Sequence, residues 1–431
     1  MDGSGTRHSF AVDFYVGNSP CADPEYGTRA GAATDGSGYY LDATTNVNGV
    51  VYDRWGNQVS GGTFTDTNGN YMFSTIGPTE TDYTDTIGRT ALIIKNPNSS
   101  TTTFQYRDAN NTLQTITETL TSYPIKTNFG CSGVVEYTNT TGVYLPTSIT
   151  LPNGSAYTLT YEDTPGYPGY KTGRLKRITI PTGGYYEYEY PTGDGTHNGI
   201  NCADGTVVDL TRAVNDGSAS STWHFVRNQV DASTWTNTIT YPQMPWDAAS
   251  NTSVYTFTNG KETKRQIYQG AAIGDPLRTI NTTWSFGTPS TTTTILKDGT
   301  QSQLETTYSG LNLTLLKEHA FGAGAPGPVV RTTTRTYLNT SPYLERNITD
   351  RMTQEIVQDG NGATVSRTDI AYDGTAPTCV TGAIQSAYSC AFNTRGNPTT
   401  IKRYTSAAAP SGALTTTITY DSLGNVRSVT D

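Results

Sequence analysis

The chain has 431 residues, of which 34% are hydrophobic and 15% charged, and it carries a formal net charge of −9 at pH 7. That length exceeds one compact core unless the core is extended or repetitive, and the negative sign repels phosphate backbones and anionic lipid heads, which excludes nucleic acid as an expected partner. No apolar run approaches the ~18 residues of a membrane span, and ALII at 91–94 is typical of the longest.

The composition, with 44 Gly, 21 Pro and 29 Tyr beside abundant Thr, suits strands and tight turns. Disordered chains lack recurring aromatics and β-branched residues, so their recurrence here points to a fold. The opening residues, MDGSGTRHSF, show no charged-then-apolar leader pattern. The chain is read as a segment of a longer protein.

In chain order the first signature is a turn. An aromatic or Thr is followed by Asp or Asn, two free positions, Gly, and then Asn or Arg. It occurs as YDRWGN at 52–57, TDTNGN at 65–70 and TDTIGR at 84–89. Asp53, Asp66 and Asp85 can cap these turns through their carboxylates, while Gly56, Gly69 and Gly88 take the left-handed conformation. Asp66, Asn68 and Asn70 also have an oxygen spacing reminiscent of a calcium loop. The downstream Glu and flanking helices are missing, and the turn accounts for the spacing, so neither metal nor cofactor is expected.

Next come two stretches that repeat each other. SITLPNGSAYTLTY at 148–161 and RITIPTGGYYEYEY at 177–190 superpose with a shift of about 29 residues. Each reads as strand, turn, strand, with apolar or aromatic residues alternating with polar ones. Tyr157, Tyr161, Tyr186, Tyr188 and Tyr190 form a stripe that has two readings. It is either an in-register ladder stabilising the sheet, or a wall offering ring faces and hydroxyls to a polypeptide or glycan. PTGDGTHNGINCADGTVVD at 191–209 is polar, Gly-rich and off-pattern, and is expected to be an insertion loop.

Looser copies of the turn follow, YTFTNGK at 255–261 and QDGNGATVSRTDIAYDG at 358–374. The tight signature returns as FNTRGN at 392–397, with Gly396, and YDSLGN at 420–425, with Asp421 and Gly424. Just before FNTRGN, CVTGAIQSAYSC at 379–390 places Cys379 and Cys390 where a hairpin could bring them face to face. A disulfide there suits an exported protein; the other reading is two small buried hydrophobes. The remaining cysteines are Cys21, Cys131 and Cys202, and an odd total leaves at least one thiol free or intermolecular. No CxxC pair suggests zinc. His8, His197, His224 and His319 stand in unlike contexts, and no HExxH, GxSxG or P-loop pattern occurs. The chain is expected to be non-enzymatic.

The expected fold is all-β, a single array of repeated hairpins over 1–431 with little helix. At this point GRLKRITIPTGGYYEYEY at 173–190 and YDSLGNVRSVTD at 420–431 matter together. They resemble the YD repeat of Rhs-type proteins, a family that includes bacterial Rhs and wall-associated proteins, Tc-toxin B/C shells and animal teneurins. The resemblance is clearest over 145–190 and 390–431 and looser over 50–95. It implies a long spiralling antiparallel sheet that forms part or all of a hollow shell. Such a shell is secreted or displayed at the cell surface and encloses or presents a polypeptide such as a C-terminal toxin domain. The alternative is a surface adhesin whose repeats bind carbohydrate or a partner cell. The self-cleaving DPxG-type motif of the family has no match, since DPEYG at 23–27 and DPLRT at 275–279 differ in residues and context. The resemblance therefore brings a scaffold role and no catalytic residues.

Overall fold

The computed structural model describes residues 7–10, 12, 30–44, 49–60, 63–97, 99–130, 133–190, 208–381, 389–406 and 411–431. They form one sheet of 30 strands, from Ala30–Ala32 to Val426–Thr430. The helix among the described residues is the four-residue Ser341–Leu344. Strands pair antiparallel with their neighbours in sequence, so the sheet is an up-and-down meander. The short strand Gly322–Ala323 lies aside on Thr300, and Asn312–His319 pairs directly with Val329–Tyr337.

Period-two alternation explains the strands and gives the sheet two unlike faces. In the pair Thr234–Thr240 and Thr252–Thr258, one face carries Trp235 opposite Phe257, Asn237 opposite Tyr255 and Ile239 opposite Ser253. The other face is Thr opposite Thr at three of four positions, with Thr238 opposite Val254. The aromatic face continues across strands, with Tyr188, Arg212 and Trp223 in register. Guanidinium groups cover its rings, Arg212 at 4.6 Å from Trp223, Arg227 at 4.5 Å from Trp235 and Arg265 at 4.8 Å from Tyr255. Such contacts let a half-exposed ring stay stable without a second layer above it.

The accessible surface is 24291 Å², against about 16,000 Å² for a compact monomer of this mass. The most enclosed large side chains are Ile348 and Arg395, at 0% and 1% exposure. Burial therefore peaks where distant turns meet, not in an apolar layer between sheets.

In a meander, successive connections alternate between two rims. The turns 53–57 and 66–70 share one rim. Counted along the paired strands, the connections 338–351, Asp373 to Asn397 and 421–425 belong to the opposite rim. The two rims touch. Asn347 Nδ2 donates to Asp53 O (2.6 Å), Asn70 Nδ2 to Leu423 O (2.7 Å) and Asn397 Nδ2 to Asn68 Oδ1 (2.7 Å). The sheet thus spirals, and one rim of its first lap seats on the other rim of its last.

Of the loop expected at 191–209, only Val208 and Asp209 are among the described residues, and they open the strand Val208–Asn215. The expected copy at 255–261 is a different turn. Asn259 and Gly260, at φ +51° and +75°, make a two-residue hairpin between paired Thr258 and Lys261.

Candidate functional site

The repeat turn is built around its aspartate. Asp53 N–H donates to Asn57 O (2.9 Å) and Gly56 N–H to Asp53 O (3.1 Å), closing a three-residue loop on a left-handed glycine. Asp53 Oδ1 accepts the N–H groups of Trp55 and Asn57, and Oδ2 accepts the Asn57 amide at 2.7 Å. Asp66 with Gly69 and Asp421 with Gly424 repeat the set. Asp85 with Gly88 does so with the Arg89 guanidinium in place of the amide. Asp66 spends both carboxylate oxygens on its own turn, which is the physical content of its spacing with Asn68 and Asn70. Two further copies use Asp108, with Asn111 at φ +62° in the glycine position, and Asp359 with Gly362.

The hairpin turns of the duplicated stretches have the same backbone. Leu151 N–H donates to Ser155 O and Gly154 N–H to Leu151 O; Ile180 N–H donates to Gly184 O and Gly183 N–H to Ile180 O, all at 2.8–2.9 Å. The two sequence signatures are one turn, written with or without the capping carboxylate.

At 392–397 the expectation needs correction. The Asp position is filled by Asp373, not Asn393. Asp373 N–H donates to Asn397 O (2.9 Å), its Oδ2 accepts the N–H groups of Arg395 (2.8 Å) and Gly396 (2.7 Å), and its Oδ1 accepts that of Asn397. One turn is split between Tyr372–Asp373 and Arg395–Asn397, with 374–394 inserted into it. That insert carries the disulfide between Cys379 and Cys390, whose Cα atoms lie 5.4 Å apart. Cys21, Cys131 and Cys202 lie outside the described residues.

Arg395 sits where the split turn, the first lap and the last turn converge. Its Nη1 donates to Asn68 O (2.5 Å) and Ser422 O (2.8 Å), its Nε to Phe392 O (3.0 Å) and its Nη2 to Ser389 O (3.1 Å). A buried cation must be matched by acceptors, and here carbonyl dipoles from three segments supply them. A cavity of about 760 Å³ opens further along the same seam, lined by Tyr39, Tyr40, Arg54, Phe286, Leu311 and Tyr337 among others.

The tyrosine stripe is brought onto one face, because Leu159, Ile178 and Tyr186 are in register and alternate residues share a face. Its members then differ. Tyr161 is buried and its OH donates to Pro146 O at 2.6 Å; Tyr190 lies under the Arg174 guanidinium and its OH donates to Leu175 O at 3.0 Å. Each sits 15 residues after its acceptor, so the repeated sequence reappears as a repeated bond. Tyr157 and Tyr188 are half-buried and Tyr186 is 41% exposed.

The same strut recurs at Tyr337, Tyr372 and Tyr420, which donate to Leu313 O, Met352 O and Pro398 O at 2.9, 2.7 and 3.0 Å. Register shifts fall immediately before Tyr161, Tyr337, Tyr372 and Tyr420. A bulge turns a carbonyl out of the ladder, and the phenol of a neighbouring strand takes it. Burial raises all these phenols, Tyr372 to about 12. An exposed phenol ionises near 10. The Tyr372 contribution is therefore complete below pH 10 and lost as pH rises from 10 through 12. Ultraviolet titration should show a late-ionising set of tyrosines whose ionisation coincides with loss of strand signal. Ionisation of every tyrosine near pH 10 with the sheet intact would refute the struts.

The described histidines each pair with a carboxylate, His8 with Asp35, His224 with Asp209 and His319 with Glu305. No group of three or more metal-ligating side chains occurs among the described residues. No helix among them is long and apolar enough to cross a membrane.

No protein-family model and no curated protein matches the chain. Among solved structures it is similar to a chain of the TcdB2-TccC3-TEV crystal structure. The alignment covers 90% of this chain and 22% of that one, at 11% identity and a TM-score of 0.18. The chain thus spans under a quarter of that neighbour's length.

Sequence reasoning did not single out Arg395, Asp373, Asn347 or Ile348. A signal existed for the first. Arg395 occupies the turn position held elsewhere by Trp55, Asn68, Ile87 and Leu423, so a cation stands where the other copies are uncharged.

Proposed function

We propose that the chain is a non-enzymatic Rhs/YD-repeat scaffold, a segment of an exported shell that encloses or presents a polypeptide such as a toxin domain. The observation that carries this reading is the seam. A single-layered sheet whose first turns lock onto turns some 300 residues later encloses space by winding, and leaves its two faces available to line a lumen and meet solvent. Closed winding also leaves few strand edges open to aggregation. The aromatic and guanidinium face is suited to an unfolded polypeptide, offering ring faces and cations without a fixed sequence requirement.

A second reading is favoured by the exposure of Tyr186 beside Tyr157 and Tyr188: a surface adhesin that stacks carbohydrate on that face. Small-angle X-ray scattering tests the first. A solid globule of this length has a radius of gyration of about 22 Å. The shell reading expects a clearly larger value with depleted short distances. A rod-like profile would overturn it in favour of the adhesin.

A further inference from the structure

The insert in the split turn touches the seam with both flanks. On the first flank, Thr378 N–H donates to Tyr420 O (2.9 Å), Ser422 N–H to Thr378 O (2.8 Å) and Val380 N–H to Ser422 Oγ (3.1 Å). On the second, Ser389 O and Phe392 O accept from Arg395, and the Phe392 ring lies 5.4 Å from its guanidinium. The Cys379–Cys390 disulfide joins one flank to the other. While it is closed, the carbonyls that hold one side of Arg395 are fixed to the strand ending at Tyr420. Once it is open, they lose that covalent link to the Tyr420 strand and are held by the backbone of Arg395 and by Arg346, whose guanidinium donates to Thr394 O and lies 4.6 Å from the Phe392 ring. Arg395 also bridges the turn 66–70 and the turn 421–425, beside the direct bond from Asn70 Nδ2 to Leu423 O.

We propose that this disulfide is a redox-sensitive latch on the seam, released by a dithiol reductant. Its use rests on the shell reading: the winding stays closed in an oxidising exterior and loosens in a reducing compartment. Cys379 is exposed, so a thiolate of the reductant can attack its Sγ. The S–S bond breaks and Cys390 leaves as a thiolate that takes a proton. The second thiol of the reductant then resolves the mixed disulfide, freeing Cys379 with another proton. The chain gains two thiols and the reductant ends as a disulfide.

Loss of the cross-link enlarges the conformational freedom of the insert. It removes no bond within the turn at 108–112, which has the same Asp-capped design and no disulfide. Hydrogen exchange on the whole chain, with and without a dithiol, tests the latch. Reduction should lower protection about tenfold or more at 66–70 and 421–425, and leave 108–112 unchanged. In Arg395→Lys the seam should already exchange faster when oxidised, and reduction should add little. The double variant Cys379→Ser, Cys390→Ser should match the reduced chain whatever the additive. A rise in exchange confined to the insert, or equal across all turns, would overturn the latch and leave the shell reading standing. A solid particle in scattering with a redox-sensitive seam would do the reverse.

Discussion

Arg395→Met is expected to lower the stability of the seam by about 3–5 kcal/mol. The guanidinium is 1% exposed and donates to four backbone carbonyls. Methionine fills similar volume and strands no charge, so the loss comes from the acceptors. Each carbonyl deprived of a donor away from water costs about 1–3 kcal/mol, and partial entry of water keeps the total below the simple sum. Arg395→Lys keeps the cation but cannot fork to several carbonyls at once, and should recover less than half. Native-state hydrogen exchange is the right readout, because a repeat array can open locally without global unfolding. The amides of 66–70 and 421–425 should lose protection together, although they lie more than 300 residues apart. Independent behaviour of the two turns would show that Arg395 does not join them.

What was legible in the sequence is what neighbouring residues decide. Asp and Gly three residues apart dictate a capped turn through short-range bonds, so Asp53, Asp66, Asp85 and Asp421 stand where the signature places them. Period-two alternation dictates the strands, and short connections dictate a meander of sequential neighbours. The split turn was illegible because FNTRGN mimics a complete copy. Its capping carboxylate, Asp373, stands 22 residues before Arg395, and no local rule prefers it over Asn393. The seam was illegible for a stronger reason: Arg395 reaches Asn68 across 327 residues, and spiral pitch is set by accumulated twist and bulges. The tyrosine stripe was visible, but its division of labour depends on register shifts such as the one beside Tyr161. That shift decides which phenol meets a displaced carbonyl.

Gly56→Ala and Gly183→Ala separate the energy of the turn from that of the seam. Both glycines have positive φ, +87° and +90°, so an alanine at either meets the same left-handed penalty of about 1 kcal/mol. At Gly183 nothing lies within 4 Å of the added Cβ, and the penalty should stop there. At Gly56 the Cβ would stand 2.3 Å from Ile348 Cγ1 and 2.9 Å from Arg346 O. Ile348 is wholly buried, and the carbonyl is backbone, so neither can step aside. The first-lap turn must lift away, straining the bonds that Asn347 and Thr349 donate to Asp53 O and Arg54 O. Overpacking of this kind adds about 1–3 kcal/mol, for a total of about 2–4 kcal/mol. Since the backbone penalty is common to both variants, the difference between them measures the seam alone. Exchange at 53–57 and around Ile348 should rise in Gly56→Ala, with Gly183→Ala disturbing only its own hairpin. Equal and small effects in the two variants would mean that the laps do not touch in solution, and the spiral closure would fall with that result.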